Sequence, residues 1–349
     1  MQMRTFGKRG RPSRKSLGVL AAPSLFALEV STERPIKENS KSSNSRRRSV
    51  GWEGNEDSGK VEIKRFKDLP IAYLEKLGES TFSEIFIDRR DMRVYKIMPI
   101  TFKKEYKRVQ HTKMEYFLKE CLVMGRMNKS VYSTKMFSWM VVVDRYPEEL
   151  VEKCRIWAAD NWESAENLVP QKNNSSGIFG IIQMEYGGIE LSKIDWGSIR
   201  FEQVQEIISK LRLCVDRMGS LGVEHRDMHE SNVLVEFLGD SGCRVRAIDY
   251  SLAWADWVGV GLFSIEVVDD LEAGVIYYRA GRTLYTDLDT EMPWLFANYD
   301  DDPHRQVYKR MNAEYSGENR WQHRGHSNRY WLQYLIDWIY DKWRKTTQI

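Results

Sequence analysis

From Val61 onward, apolar and polar positions alternate in two distinct rhythms. Leu77-Gly78-Glu79-Ser80-Thr81-Phe82-Ser83-Glu84-Ile85-Phe86 reads as a strand, a turn and a returning strand, and Arg93-Val94-Tyr95-Lys96-Ile97-Met98 reads as the next strand. The rhythm then lengthens to three and four, with Met114, Phe117, Leu118, Cys121, Leu122 and Gly125 on one face of a helix that runs to Met127. A polar stretch ends at Gly177, and the apolar run Ile178 to Met184 predicts a buried strand. That strand leads into Glu185-Tyr186-Gly187-Gly188, where paired glycines mark either a plain turn or a hinge between two lobes. From Phe201 to Met218, Val204, Ile207, Ile208, Leu211, Val215 and Met218 share one helical face, and Val233-Leu234-Val235 and Arg244 to Ile248 are strand-like again.

Residues 31–60 break both rhythms: Ser, Asn, Lys, Arg, Glu and Gly dominate, with almost nothing to bury. Such a segment is expected to be a disordered linker. It closes a basic arm, since residues 1–60 hold 13 Lys/Arg against 6 Asp/Glu, whereas residues 61–349 hold 40 against 44. The net charge of +3 thus hides a basic arm on a slightly acidic body of 289 residues, long enough for one large unit with a sizeable core. Cys121, Cys154, Cys214 and Cys243 follow neither a zinc pattern nor a disulfide framework, and are expected to be small buried apolar groups in a reducing compartment. Leu17 to Val30 is too short and too interrupted, at Pro23, to cross a membrane, and no membrane association is expected.

The chemistry concentrates in Glu224-His225-Arg226-Asp227-Met228-His229-Glu230-Ser231-Asn232. His-Arg-Asp, four residues and Asn is the spacing of a protein kinase catalytic loop. Seventeen positions beyond Asn232, after the second strand-like run, stands Asp249, followed by Tyr250 and Ser251. Phosphoryl transfer needs positioning and charge compensation more than covalent help. In that scheme Asp227 orients the attacking hydroxyl, while Asn232 and Asp249 hold magnesium. Lys96 falls where a nucleotide-binding lysine belongs, and either Glu115 or Glu120 of the following helix is a candidate partner for it. At the hinge, the carbonyl of Glu185 and the amide of Gly187 are candidates for an adenine edge.

Several of these segments together resemble the haspin family of atypical eukaryotic protein kinases, over roughly residues 70–343. They are Glu185-Tyr186-Gly187-Gly188-Ile189-Glu190-Leu191, Glu224 to His229, Ile248-Asp249-Tyr250-Ser251-Leu252, Asn319-Arg320-Trp321, Ser327-Asn328 and Trp331 to Leu335. Asp-Tyr-Ser resembles the family's Asp-Tyr-Thr, His229 stands where most such kinases carry Lys, and no Ala-Pro-Glu follows. The resemblance implies an α+β bilobal fold with a small β-rich lobe (about 61–184), a hinge (185–188) and a larger helical lobe (189–349). It also implies ATP and Mg²⁺ as cofactors and a histone-tail threonine as substrate, in the nucleus on chromosomes during cell division. Nucleotide and catalytic roles fall on Lys96, Asp227, Asn232 and Asp249, with Glu120 preferred to Glu115 because Lys119-Glu120 resembles the family's Lys-Glu run. Substrate contacts fall on Glu190, His229, Asp269 and Asp270.

The chain departs from the family in its glycine-rich loop, which keeps Gly78 but has Ser80 and Ser83 where glycines are usual, and in a longer stretch between Leu271 and Tyr308. A pseudokinase acting as a chromatin-binding scaffold is therefore the competing expectation. Lys8-Arg9-Gly10-Arg11-Pro12-Ser13-Arg14-Lys15 resembles an AT-hook for A·T-rich minor grooves, beside the plainer readings of a nuclear-localisation patch or a transit peptide.

Overall fold

The computed structural model describes residues 58–80, 83–102, 111–162, 177–239, 242–256, 265–281, 283–286, 292–296, 302–315 and 325–347, with single positions 165, 167, 170 and 288. These belong to one compact unit, 49–349. The basic arm, with its Arg-Gly-Arg-Pro element and the expected linker, lies outside the described residues apart from the start of the first strand, β1 (Ser58–Lys64). The boundary expected at residue 60 falls inside that strand.

A nine-stranded mixed sheet dominates. Its strands are β1, β2 (Leu74–Ser80), β3 (Ser83–Asp88), β4 (Arg93–Thr101), β5 (Thr112–Lys113), β6 (Met136–Asp144), β7 (Gly177–Glu185), β13 (Ile265–Asp270) and β14 (Val275–Ala280). They are ordered β13-β14-β1-β6-β7-β4-β3-β2, with β5 beside β4. Alternation along β4 decides which side chain meets which helix. Val94, Met98 and Ile100 pack with Phe117 and Cys121 of helix α1 (Met114–Met127), while Tyr95 and Ile97 pack with Leu150 and Cys154 of α2 (Glu148–Asp160) on the other face. Lys96 shares the parity of Val94 and Met98 and so emerges toward α1. A Cβ at Gly180 of β7 would stand 2.6 Å from the Phe117 ring, so glycine there lets α1 lie close on the sheet.

The hairpin β13–β14 extends the large sheet. The sequence places residues 265–280 among those expected in the helical lobe, yet β14 pairs antiparallel with β1, Val275 opposite Glu62 and Arg279 opposite Ser58. The run Val275-Ile276-Tyr277-Tyr278 carries the β-branched and aromatic residues that suit a pleated surface, and Ile276 completes the core beneath it.

Further helices among the described residues are α3 (Phe201–Ser220), α4 (Pro303–Tyr315) and α5 (His326–Thr347). Val204, Ile207, Ile208, Leu211, Cys214, Val215 and Met218 of α3 are all buried, as their spacing requires. Two small sheets carry the loops between helices. One runs β11 (Cys243–Ala247), β10 (Val233–Phe237), β8 (Ile189–Glu190), the other β15 (Thr283–Leu284), β12 (Trp254–Asp256), β9 (Val223–Glu224). All four cysteines are free and buried. Among the described residues no helix is long and apolar enough to cross a membrane.

Candidate active site

The site forms where β9 and β11 end and β10 begins. His225 and Asn232 are seated by backbone and side-chain contacts on both flanks of the loop. The His225 amide donates to Oδ1 of Asn328 (2.8 Å), whose Nδ2 donates to the Val223 carbonyl (2.8 Å), so one asparagine at the start of α5 stands in for a neighbouring strand. Nε2 of His225 bonds the carbonyl of Ile248 (2.9 Å), the residue before Asp249. The imidazole is fully buried, and burial pulls its pKa down to about 4, which keeps it neutral. Arg226 and Asp249 both adopt left-handed backbone, φ 63° and 62°. Non-glycine residues rarely do so, and the cost is tolerated mainly where geometry serves a site.

Asn232 closes the loop on itself. Its Nδ2 donates to the Asp227 carbonyl (2.8 Å) and lies 3.4 Å from the Asp227 carboxylate, while its own carbonyl accepts from Ile248 (3.0 Å). Asp227 also accepts from the phenol of Tyr308, and Nε2 of His229 lies 3.8 Å away. Burial pushes Asp227 up to about 6, against the pull of His229 and the Tyr308 hydroxyl.

Across the cleft, Nζ of Lys96 is 2.7 Å from Glu120 and 3.2 Å from Asp249. Of the two acidic candidates on α1, Glu120 is the one that reaches Lys96. Burial opposes the charge on Lys96, but Asp249 and Glu120 outweigh it and hold the ammonium above its ordinary range. Burial likewise opposes the Asp249 carboxylate, and Lys96 together with Ser251 keeps it well below the usual carboxylate range. Ionised Asp249 and the amide oxygen of Asn232 are the residues that would hold a hard divalent cation such as Mg²⁺, which favours oxygen donors.

The β2–β3 hairpin reaches the same carboxylate: the Ser80 hydroxyl lies 3.2 Å from Asp249. A Cβ at Gly78 would meet nothing within 4 Å, so its surroundings do not demand glycine. At the hinge a Cβ on Gly188, at φ 113°, would strike the Val235 carbonyl at 2.4 Å, and only glycine fits. Arg246, to which no sequence pattern draws attention, braces this turn by donating to the Gly187 carbonyl (3.0 Å) and pairing with Glu236 (2.9 Å) and Glu185 (3.4 Å).

The residues matched to substrate contacts divide. His229 stands beside Asp227, its ring 5.2 Å from that of His304. Glu190 sits on β8 against Leu234 and is paired with Lys193 (2.6 Å). Asp269 and Asp270 are exposed at the end of the edge strand β13, where Asp270 accepts from the Ala273 amide (3.0 Å).

Comparison with known proteins places this arrangement. A family model described as haspin-like kinase domain matches residues 43–348. The chain belongs to that family. It is 24% identical over 295 residues to the serine/threonine-protein kinase haspin of Mus musculus, covering 78% of this chain and 36% of that protein. It is 22% identical over 215 residues to the serine/threonine-protein kinase haspin homolog of Drosophila melanogaster, covering 51% and 37%. The chain thus spans well under half the length of these curated relatives. Within the haspin-like domain, the Ser327-Asn328 segment gains a structural meaning: Asn328 ties α5 to the strand that feeds the 225–232 loop, and Ser327 bonds the Glu224 carboxylate.

Proposed function

We propose that this chain is a bilobal protein kinase that transfers the terminal phosphoryl group of ATP, with Mg²⁺, to a serine or threonine hydroxyl of a protein. The observation that carries the reading is the buried chain Glu120–Lys96–Asp249, closed within one cleft with the Asp227–Asn232 loop. In this reading Lys96 holds the phosphates and is itself held by Glu120. Asn232 and Asp249 hold the Mg²⁺, which neutralises phosphate charge. Asp227 orients the substrate hydroxyl and takes its proton. Gly78 and Ser80 cover the phosphates, and Glu185 and Gly187 meet the adenine edge.

The substrate of this reading is a histone-tail threonine, and the location is the nucleus, on chromosomes. The names of the mouse and fly relatives support the serine/threonine class. The acidic groups Asp269, Asp270 and Glu190 are of the sign a basic tail requires, and His229 stands next to the acceptor carboxylate. The basic arm, residues 1–60, serves as a DNA contact.

One observation favours a second reading, a pseudokinase scaffold: the Ser80 hydroxyl sits on the carboxylate that would hold the metal. Calorimetry with ATP, with and without Mg²⁺, separates the two. A kinase binds MgATP more tightly than ATP alone, and Ser80→Gly strengthens that binding. Absence of any nucleotide binding would leave only the scaffold.

A further inference from the structure

One residue before Glu120, α1 buries a lysine. Lys119 is 2% exposed. Its ammonium donates to the carbonyl of Ser251, the carbonyl of Ala253 (3.3 Å) and the hydroxyl of Thr286. Three donors thus meet three acceptors, so the ammonium is saturated. Thr286 in turn donates to Ser251 (2.9 Å), which joins the acceptors into one cluster. Two of them lie in the short segment that opens with Asp249, and α1 packs directly on its turn, Tyr250–Leu252.

A gain in folding free energy is a poor explanation for this lysine. Burial pulls its pKa down to about 7; Arg226 acts in the same direction, while Glu120 and Asp249 oppose. Buried ionic groups replaced by apolar residues of like volume are often neutral or stabilising. A methionine would fill the same space with no desolvation penalty, so the contacts themselves are the better reason for a lysine.

Geometry says what those contacts do. Consecutive residues on a helix point about 100° apart. Glu120 therefore reaches β4 and Lys96, while Lys119 reaches the segment after Asp249. Helix α1 cannot rotate or withdraw without giving up one of the two.

We propose that Lys119 is a positioning residue that bolts α1 to the segment after Asp249, keeping Glu120, Lys96 and Asp249 assembled as one chain. The proposal rests on the kinase reading for its consequence in catalysis, although the bolt itself is a property of the fold.

The test is amide hydrogen exchange by mass spectrometry on the full chain, comparing wild type, Lys119→Met and Thr286→Val. Exchange in 114–127 and 249–256 is expected to rise about tenfold in Lys119→Met and less in Thr286→Val, with 201–220 unchanged, since local opening reports local anchoring. In the same preparations kcat falls and KM for ATP rises, while KM for the peptide stays constant. Unchanged exchange in both segments would overturn the bolt, as would a uniform rise that includes 201–220. Should Lys119→Met fail to fold, Thr286→Val, which removes one acceptor and no charge, decides by the same criterion. A local rise in exchange together with a wild type that transfers no phosphate supports the bolt and sinks the kinase reading alone.

Discussion

Tyr308, on α4, donates its phenolic hydrogen to Oδ1 of Asp227, 81 positions earlier in the chain. The ring is 2% exposed and stands edge-on to Trp331, centroids 5.2 Å apart. The bond occupies one carboxylate oxygen and leaves the other on the side of Asn232. Tyr308 thus distinguishes the two oxygens of the carboxylate.

Tyr308→Phe keeps the packing and removes only that bond. A hydrogen bond to a charged group contributes about 1.5–3 kcal/mol, so kcat is expected to fall about tenfold or more with KM for ATP unchanged. Steady-state kinetics checks this. An unchanged kcat would mean that Tyr308 packs beside Asp227 without serving it.

Arg226 and Glu224 are both almost wholly buried, with Nε 3.8 Å from the carboxylate. In kinases switched by phosphorylation of an activation loop, new arginine–phosphate pairs order the loop. Here the Glu224 carboxylate, inside the fold, already faces Arg226. Protein treated with phosphatase is therefore expected to be as active as untreated protein. A large loss on treatment would show that a phosphate between Asp249 and Leu295 acts as a switch.

The neutral, buried His225 sets a pH dependence of stability. Its pKa is about 4 when folded and about 6.5 when unfolded, so the unfolded state binds more protons between these values. Its contribution is fully present above pH 6.5 and is lost as pH falls through that window to 4, about 3 kcal/mol in all. Urea unfolding at pH 7 and pH 4.5 measures the loss, and in His225→Phe the difference between the two is expected to shrink. An equal difference in both proteins would assign the acid sensitivity to other groups.

What could be read in the sequence follows from the reach of each signal. Asp227, Asn232 and Asp249 were legible because their chemistry demands fixed spacing along a short stretch. Lys96 was legible because alternation along β4 fixes its face. The helical pattern could place Glu115 and Glu120 on α1 but not choose between them, since the choice depends on how α1 sits on the sheet. Nothing in a 3.6-residue rhythm marks the role of Lys119, because its three acceptors are 132 to 167 positions away. Tyr308 and Arg246 were missed for the same reason. The β13–β14 hairpin carried strand-forming residues, yet its pairing with β1 joins segments some two hundred positions apart, which no local pattern encodes.

Deleting residues 1–57, which leaves β1 whole, is expected to weaken binding to duplex DNA while activity on a short peptide stays nearly constant. The lost affinity should fall steeply with salt, because neutralised phosphates release counterions. Fluorescence anisotropy with A·T-rich and G·C-rich duplexes at equal salt tests both points. Equal affinity for the two eliminates the AT-hook, and no change on deletion eliminates the arm as a DNA contact.

Lys96, Asp227, Asn232 and Asp249 are expected together to carry phosphoryl transfer. Its most direct measurement is incorporation of label from γ-labelled MgATP into a histone-tail peptide by wild type, Asp227→Asn and Asp249→Asn. Loss of an acid–base group typically costs about 10²- to 10⁴-fold. Asp227→Asn should therefore lose most of the rate and Asp249→Asn all of it, with labelled phosphothreonine formed by wild type. No incorporation by wild type, or near-equal incorporation by all three, would overturn the kinase reading.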